Sequence, residues 1–308
     1  MISSIFRKTK PINYIAVIFL LLLSVFLNKG FSANTAFNSV TFLDVAINFG
    51  LLLVTILLVA FIVYKNKIST LNTYAVALYV LFLACFPVIF TDRTMILANL
   101  LAVLAMRRLL SLQTQRAVKA KLFDSFLFIG IACFLYSWVV LLIPVALAAI
   151  LFFEHRDVRN WLVPFVSAGV LWVGYVLYML YIDKNCIALA LPDDLSLEHF
   201  GITDLTSATF YIPFGYLFLV GLFAVMNFLG SFQSKSISLQ KPYWLLMLIL
   251  VATLAMLLFS HERSTVVIFS FFPLSVFISV FLEKLSKQYM KEIVIGLFLI
   301  LGVVMLVL

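Results

Sequence analysis

Residues 44–108 read DVAINFGLLLVTILLVAFIVYKNKISTLNTYAVALYVLFLACFPVIFTDRTMILANLLAVLAMRR. Three apolar runs, near 44–64, 71–91 and 94–106, stand in this stretch with very short breaks between them. Lys65 and Lys67 close the first, Asp92-Arg93 parts the second from the third, and Arg107-Arg108 closes the third. A helix that crosses the hydrocarbon core of a bilayer needs about 17–25 mostly apolar residues. Breaks this short leave no room for a soluble unit between crossings, so the chain must thread back and forth. Basic residues at alternate breaks then mark the breaks that share a side, because cytoplasmic loops are enriched in Lys and Arg.

The same pattern extends to both termini. Further apolar runs lie near 12–28, 123–135, 138–153, 161–182, 208–230, 243–260, 264–282 and 293–308, which makes eleven expected crossings. Hydrophobic residues are 65% of the 308 and charged residues 11%, against about half and a quarter in soluble domains. A soluble chain of this composition could not cover its own surface, and lipid is its natural solvent. The 32 Phe and 12 Tyr suit lipid-facing and interfacial positions. The fold class expected is all-α: a polytopic membrane helix bundle, residues 1–308 forming a single transmembrane domain. Residues 12–28 follow Arg7, Lys8 and Lys10 without a clean small-residue cleavage site. They read as a signal anchor retained as the first helix.

With the N-terminus inside, only Lys29, Arg93, Lys184 and Arg263 of the 21 basic residues fall outside. Asp44, Asp92, Asp183, Asp193, Asp194, Glu198, Asp204 and Glu262 fall outside as well. This bias sets the N-terminus in the cytoplasm and the C-terminus outside. The net charge of +8 therefore reports topology and not nucleic-acid binding. Residues 122–153 are the one ambiguous run. A single long helix there would move either Lys121 or the 154–159 segment across the membrane, so two short helices meeting near Tyr136-Ser137-Trp138 are expected. Their junction must sit in protein or in a wet cavity, because bare backbone polar groups are costly in lipid. The longest loop, near 183–207, carries Pro192-Asp193-Asp194 and a short interfacial stretch at 195–200.

Phosphate-binding glycine loops, zinc-protease motifs and nucleophile elbows are missing from the sequence. Cys85, Cys133 and Cys186 have no redox or metal spacing; the first two read as small packing residues. His155, His199 and His261 fall in three separate loops, which speaks against a multi-histidine metal site. The informative residues are ionisable ones at the outer helix ends, where charge near the membrane marks function by default. Four groups qualify: Asp44, Asp92-Arg93, Tyr136-Ser137-Trp138, and His261-Glu262-Arg263. They share one side and could converge on one outward cavity. Each also has a plain structural reading. Asp44 and Asp92 would cap helices, Arg93 would face headgroups, 261–263 would be a solvated turn, and Tyr136 and Trp138 would be interface aromatics. Asp124 is expected to pair with Lys121, and Asn48 and Asn99 to hold helices together.

Several of these stretches resemble the GT-C superfamily of membrane glycosyltransferases. Thr91-Asp92-Arg93, an apolar helix, and then Met106-Arg107-Arg108-Leu109-Leu110 resemble the segment after the third helix of that superfamily. Gly130 through Ser137, running on to Leu142-Ile143-Pro144-Val145, resembles its short helical hairpin. His261-Glu262-Arg263 followed by Phe272-Pro273-Leu274-Ser275 resembles its late loop and Pro-Leu helix. The resemblance implies transfer of a sugar from a polyprenyl-phosphate donor at the periplasmic face of a bacterial inner membrane. Asp44 would be the catalytic carboxylate, although the first outer loop is shorter than in typical members. Asp92 would orient the acceptor or a bound divalent metal. Arg93, His261 and Arg263 would bind the donor phosphate, with Tyr136, Ser137 and Glu262 lining the cavity. The opening Met1 to Tyr14 also resembles the start of an uncharacterised inner-membrane family of Flavobacteria-like bacteria.

A second function class stays open: a non-enzymatic lipid or solute transporter, or a scaffold of an envelope machine. Ion-coupled transporters place charge and broken helices at mid-membrane. Here the charges gather at the rim, which leaves a lipid flippase or a scaffold as the form this reading takes.

Overall fold

The computed structural model describes residues 6, 11–31, 39–66, 68, 72–154, 157–181, 208–230, 237–260, 262–285 and 287–307. Eleven helices of 12 residues or more follow in order among them. They are α1 Pro11–Phe31, α2 Ser39–Lys65, α3 Tyr74–Cys85, α4 Arg93–Leu110, α5 Val118–Leu135 and α6 Leu142–Glu154. Then come α7 Val163–Tyr181, α8 Ala208–Gly230, α9 Ile237–Phe259, α10 Ile268–Lys284 and α11 Gln288–Val307. Short 3-10 turns fill Pro87–Thr91, Ser111–Thr114, Ser137–Leu141 and Val158–Leu162, and Arg263–Val266 makes a single helical turn. No strand occurs among the described residues.

Among the described residues, eight helices are long and apolar enough to cross a membrane. The three that fall short are α3, α5 and α6. α3 and the Ser137–Phe153 segment are brief, while α5 opens on Lys119, Lys121 and Asp124. The architecture is that of a helical membrane bundle. α3 and α10 form its centre: every residue of α3 is buried, as is 94% of the apolar window of α10. α1, α2, α4, α9 and α11 pack around them, α8 lies against α10, and α5 lies along α4. α7 leans on α5 and buries 6% of its window. A central helix need not match the bilayer thickness, because its ends are solvated by protein. That is why 12 residues suffice for α3.

Contacts between chain-distant residues sort the helix ends into two sets. At the first end, Thr73 N donates to Phe6 O (3.0 Å), Asn72 donates to Glu283, and the Tyr243 hydroxyl donates to the Ile68 carbonyl. There Arg107 also lies over the Phe61 ring (4.5 Å), and Lys119 faces Asp157 (3.9 Å). At the second end, Asn28 Nδ2 donates to Pro87 O (3.0 Å) and Asn48 Nδ2 to Phe90 O (2.9 Å). Phe86 meets Phe210 (5.8 Å) and Trp138 stacks on Phe259 (5.4 Å) there. Successive helices therefore run antiparallel. The first end carries Lys65, Arg107, Arg108, Arg116, Lys119 and Lys121 and is called the basic end below.

Residues 122–153 form a hairpin. α5 stops at Leu135, Tyr136 is extended (φ −149°, ψ 111°), and the chain turns back through Ser137–Leu141 into α6. Gln115 Nε2 reaches Phe153 O (3.5 Å), which returns the end of α6 to the start of α5. Two sequence expectations change. Asp124 pairs with Arg108 (2.9 Å), not with Lys121. Lys121 instead donates to Ser111 O (2.7 Å) and Thr114 Oγ1 (2.6 Å), because the 111–117 loop folds back over its helix start. α2 begins at Ser39, so Asp44 lies inside the helix and is not its cap.

Candidate functional site

The Pro87–Thr91 turn organises the end opposite the basic one. Pro87 stops α3, because a residue before proline is pushed out of the helical region, and Phe86 adopts φ −128°, ψ 73°. The 3-10 turn leaves carbonyls without helical partners. Asn28 from α1 takes Pro87 O, and Asn48 from α2 takes Phe90 O. Asn48 is buried, and its Oδ1 has no hydrogen-bond partner. The helix-to-helix role expected of Asn48 is therefore met through a backbone carbonyl. Asn99 meets it through Tyr79, whose hydroxyl accepts from Nδ2 at 2.8 Å in the core.

Asp92 follows the turn and caps α4. Its Oδ1 accepts from Met95 N (3.1 Å) and Thr94 Oγ1 (2.7 Å). A carboxylate here satisfies an orphan amide and faces the positive end of the helix dipole. Arg93 extends from the first residue of α4 to Asp44 on α2, and the two form an ion pair with both side chains about half exposed. Asp44 stands four residues before Asn48, so one face of α2 supplies both the contact to the turn and the contact to the start of α4. The arrangement sets a carboxylate and a guanidinium side by side on an accessible rim.

The Arg263–Val266 turn packs against Pro87–Thr91 and against α9. Glu262 is exposed; its amide donates to Ser260 Oγ (3.1 Å) and its carbonyl accepts from Val266 N (3.1 Å). Arg263 is half-buried at the head of the turn. His261 lies outside the described residues. Tyr136 and Ser137 are both buried. Tyr136 stacks on Phe269 at 5.8 Å. The structure thus brings Asp44, Asp92 and Arg93 together and sets the 262–266 turn beside them. It places Tyr136 and Ser137 further along, Tyr136 stacked on Phe269 of α10 and the Ser137–Leu141 turn against α9. Among the described residues no three His, Cys, Asp or Glu side chains could hold a metal, and Asp92 already spends Oδ1 on its cap. These residues do not fit a divalent metal at Asp92.

Sequence reasoning missed the cleft between α8, α9 and α10. It has a volume of about 230 Å³, with Phe214, Phe218, Leu254 and Leu274 among its walls and Ser270 as a polar member. A line of aromatic contacts leads to it from the Pro87–Thr91 turn: Phe86 to Phe210 (5.8 Å), Phe210 to Phe214 (5.4 Å), Phe214 to Phe218 (6.2 Å). No sequence signal marks such a cleft, because its walls are the same residue types that face lipid.

A family model described as a family of unknown function, DUF6427, matches residues 4–308. No curated protein and no solved structure matches the chain.

Proposed function

This chain belongs to the DUF6427 family, a family of unknown function, and we propose that it is a GT-C-like membrane glycosyltransferase. In this reading it crosses the bacterial inner membrane eleven times, with the basic end in the cytoplasm. The end that carries Asp44 then faces the periplasm. The charge sorting supports this orientation: of the described basic residues, Lys29, Arg93 and Arg263 alone stand at the Asp44 end.

The observation that carries the activity is the Asp44–Arg93 pair on an exposed rim, at the end of the bundle from which the aromatic contacts of Phe86, Phe210, Phe214 and Phe218 lead to an apolar cleft. The cleft takes the polyprenyl chain of the donor. Arg93 and Arg263 take its phosphate, since charge-assisted hydrogen bonds suit that group. Arg93 turns from Asp44 to the arriving phosphate and leaves the carboxylate free. Asp44 then accepts the proton of an acceptor hydroxyl, whose oxygen attacks the anomeric carbon. The bond from that carbon to the phosphate oxygen breaks, and polyprenyl phosphate leaves with the electron pair. Asp92 holds Arg93 in place through the α4 cap and is a positioning residue.

The test is complementation of a strain lacking the gene, read out on periplasmic and outer-membrane glycans. The expected result is that wild type restores a missing glycan and Asp44→Asn at matched protein level does not. Equal complementation by both, or unchanged glycans in the deletion strain, would replace this reading with the flippase or scaffold one.

A further inference from the structure

The basic end holds a cluster that the transfer reaction does not use. Arg107 on α4 and Lys65 on α2 both sit over one face-accessible ring, Phe61, with Cζ at 4.5 Å and Nζ at 5.2 Å from its centroid. Lys121 on α5 is tied to Ser111 O and Thr114 Oγ1. Its pKa lies below the ordinary lysine value, first because burial disfavours its charge and then because Lys65, Arg108 and Arg116 crowd it. Asp124 is engaged with Arg108 (2.9 Å) and Asp157 with Lys119 (3.9 Å). Lys65, Arg107, Arg116 and Lys121 have no carboxylate partner among the described residues.

Three further features separate this cluster from cations that merely set topology. It draws on the ends of three helices and not on one loop. Arg116 is flanked by Gln115 and Ala117, both at φ 50° and neither a glycine. Left-handed backbone costs about 1–2 kcal/mol at such residues, and strain of this kind gathers at functional sites. Lastly, Val54, Leu57 and Phe61 form an exposed apolar stripe on α2 that ends beneath the cations. At the membrane surface that combination matches one amphiphile, with apolar chains on the stripe and an anion at its head.

We propose that Lys65, Arg107, Arg116 and Lys121 bind the headgroup phosphate of an anionic glycerophospholipid of the phosphatidylglycerol class, its chains lying along Val54–Phe61. Basic pockets at the cytoplasmic ends of membrane helices take phosphate headgroups, each cation adding to the attraction. The site stands at the opposite end from Asp44, so it holds or fails independently of the glycosyltransferase reading.

The experiment is lipid binding by the purified full-length chain in neutral detergent, by native mass spectrometry and by thermal shift. The probes are phosphatidylglycerol, phosphatidylcholine and inorganic phosphate. Phosphatidylglycerol is expected to bind at least tenfold more tightly than phosphatidylcholine. Lys65→Gln with Arg116→Gln should weaken it about thirtyfold, from two lost cations. Lys287→Gln with Lys291→Gln, which removes the same charge from the same end, should leave it within about twofold. Both cation pairs are on exposed or half-exposed positions, and unfolding without lipid checks that each variant is folded. Equal loss in both double variants, or no headgroup preference, would overturn the site. A full shift by inorganic phosphate alone would overturn the lipid as its occupant.

Discussion

Two glycines of α11 should respond in opposite directions to the same substitution. A Cβ at Gly302 would stand 3.1 Å from Ala84 Cβ, with backbone atoms of Ala84 and Cys85 at 3.6 and 3.8 Å. Carbon atoms in contact prefer about 3.5–4.0 Å. Ala84 has no rotamer with which to yield, and α3 is buried at every residue, so α3 cannot retreat. The outer helix must move, and overpacking of this kind costs about 1–3 kcal/mol. Replacing a helical glycine with alanine returns about 1 kcal/mol of propensity. Gly302→Ala should therefore be neutral to destabilising by about 2 kcal/mol, and Gly302→Val more so. Gly296 has nothing within 4 Å of its Cβ position, so Gly296→Ala keeps the propensity gain and should stabilise by up to about 1 kcal/mol. Denaturant unfolding of the two variants in one detergent reads the difference. If Gly302→Ala gained as much as Gly296→Ala, the close approach of α11 to α3 would be wrong.

The Asp44–Arg93 pair is half exposed, so Asp44→Asn or Arg93→Gln should each change stability by under about 1 kcal/mol. The exchange Asp44→Arg with Arg93→Asp should restore the unfolding midpoint but not glycan synthesis; recovery of both would make the pair structural. Asp92→Asn should retain the α4 cap, whereas Asp92→Ala should cost about 1 kcal/mol, seen as a lowered thermal midpoint. Lys121 has its folded-state pKa pushed below the unfolded value, so the unfolded chain binds more protons between the two. Its contribution to stability should rise with pH across that window. Arg116→Gln removes one crowding charge and should flatten the rise, which unfolding at a series of alkaline pH values measures.

The hairpin at 122–153 was legible because charge parity left no other path: basic residues at both ends had to share a side. Asp92 was legible as a cap because a capping carboxylate acts within four residues of itself. The pairing of Asp124 was not legible, for the converse reason. Sequence proximity suggested the pair, but the loop at 111–117 captures Lys121, and Arg108 arrives from the neighbouring helix. The cap reading of Asp44 fails because the apolar run starts at residue 44, whereas α2 begins at Ser39.

The long unbroken apolar runs determined that this chain is a bundle of apolar helices, since the strands of a membrane barrel alternate apolar and polar residues. The order of basic and acidic breaks determined which helix ends lie together. Which helices stand at the centre was decided by tertiary structure alone. α2 has a mean hydropathy of 2.8 yet buries 33% of its window, while α10 at 2.4 buries 94%. Lipid and protein interior are equally apolar, so hydropathy cannot tell a lipid-facing helix from a central one. The choice rests on shape, as at Gly302 against Ala84, and on the few polar side chains that find a partner across the bundle.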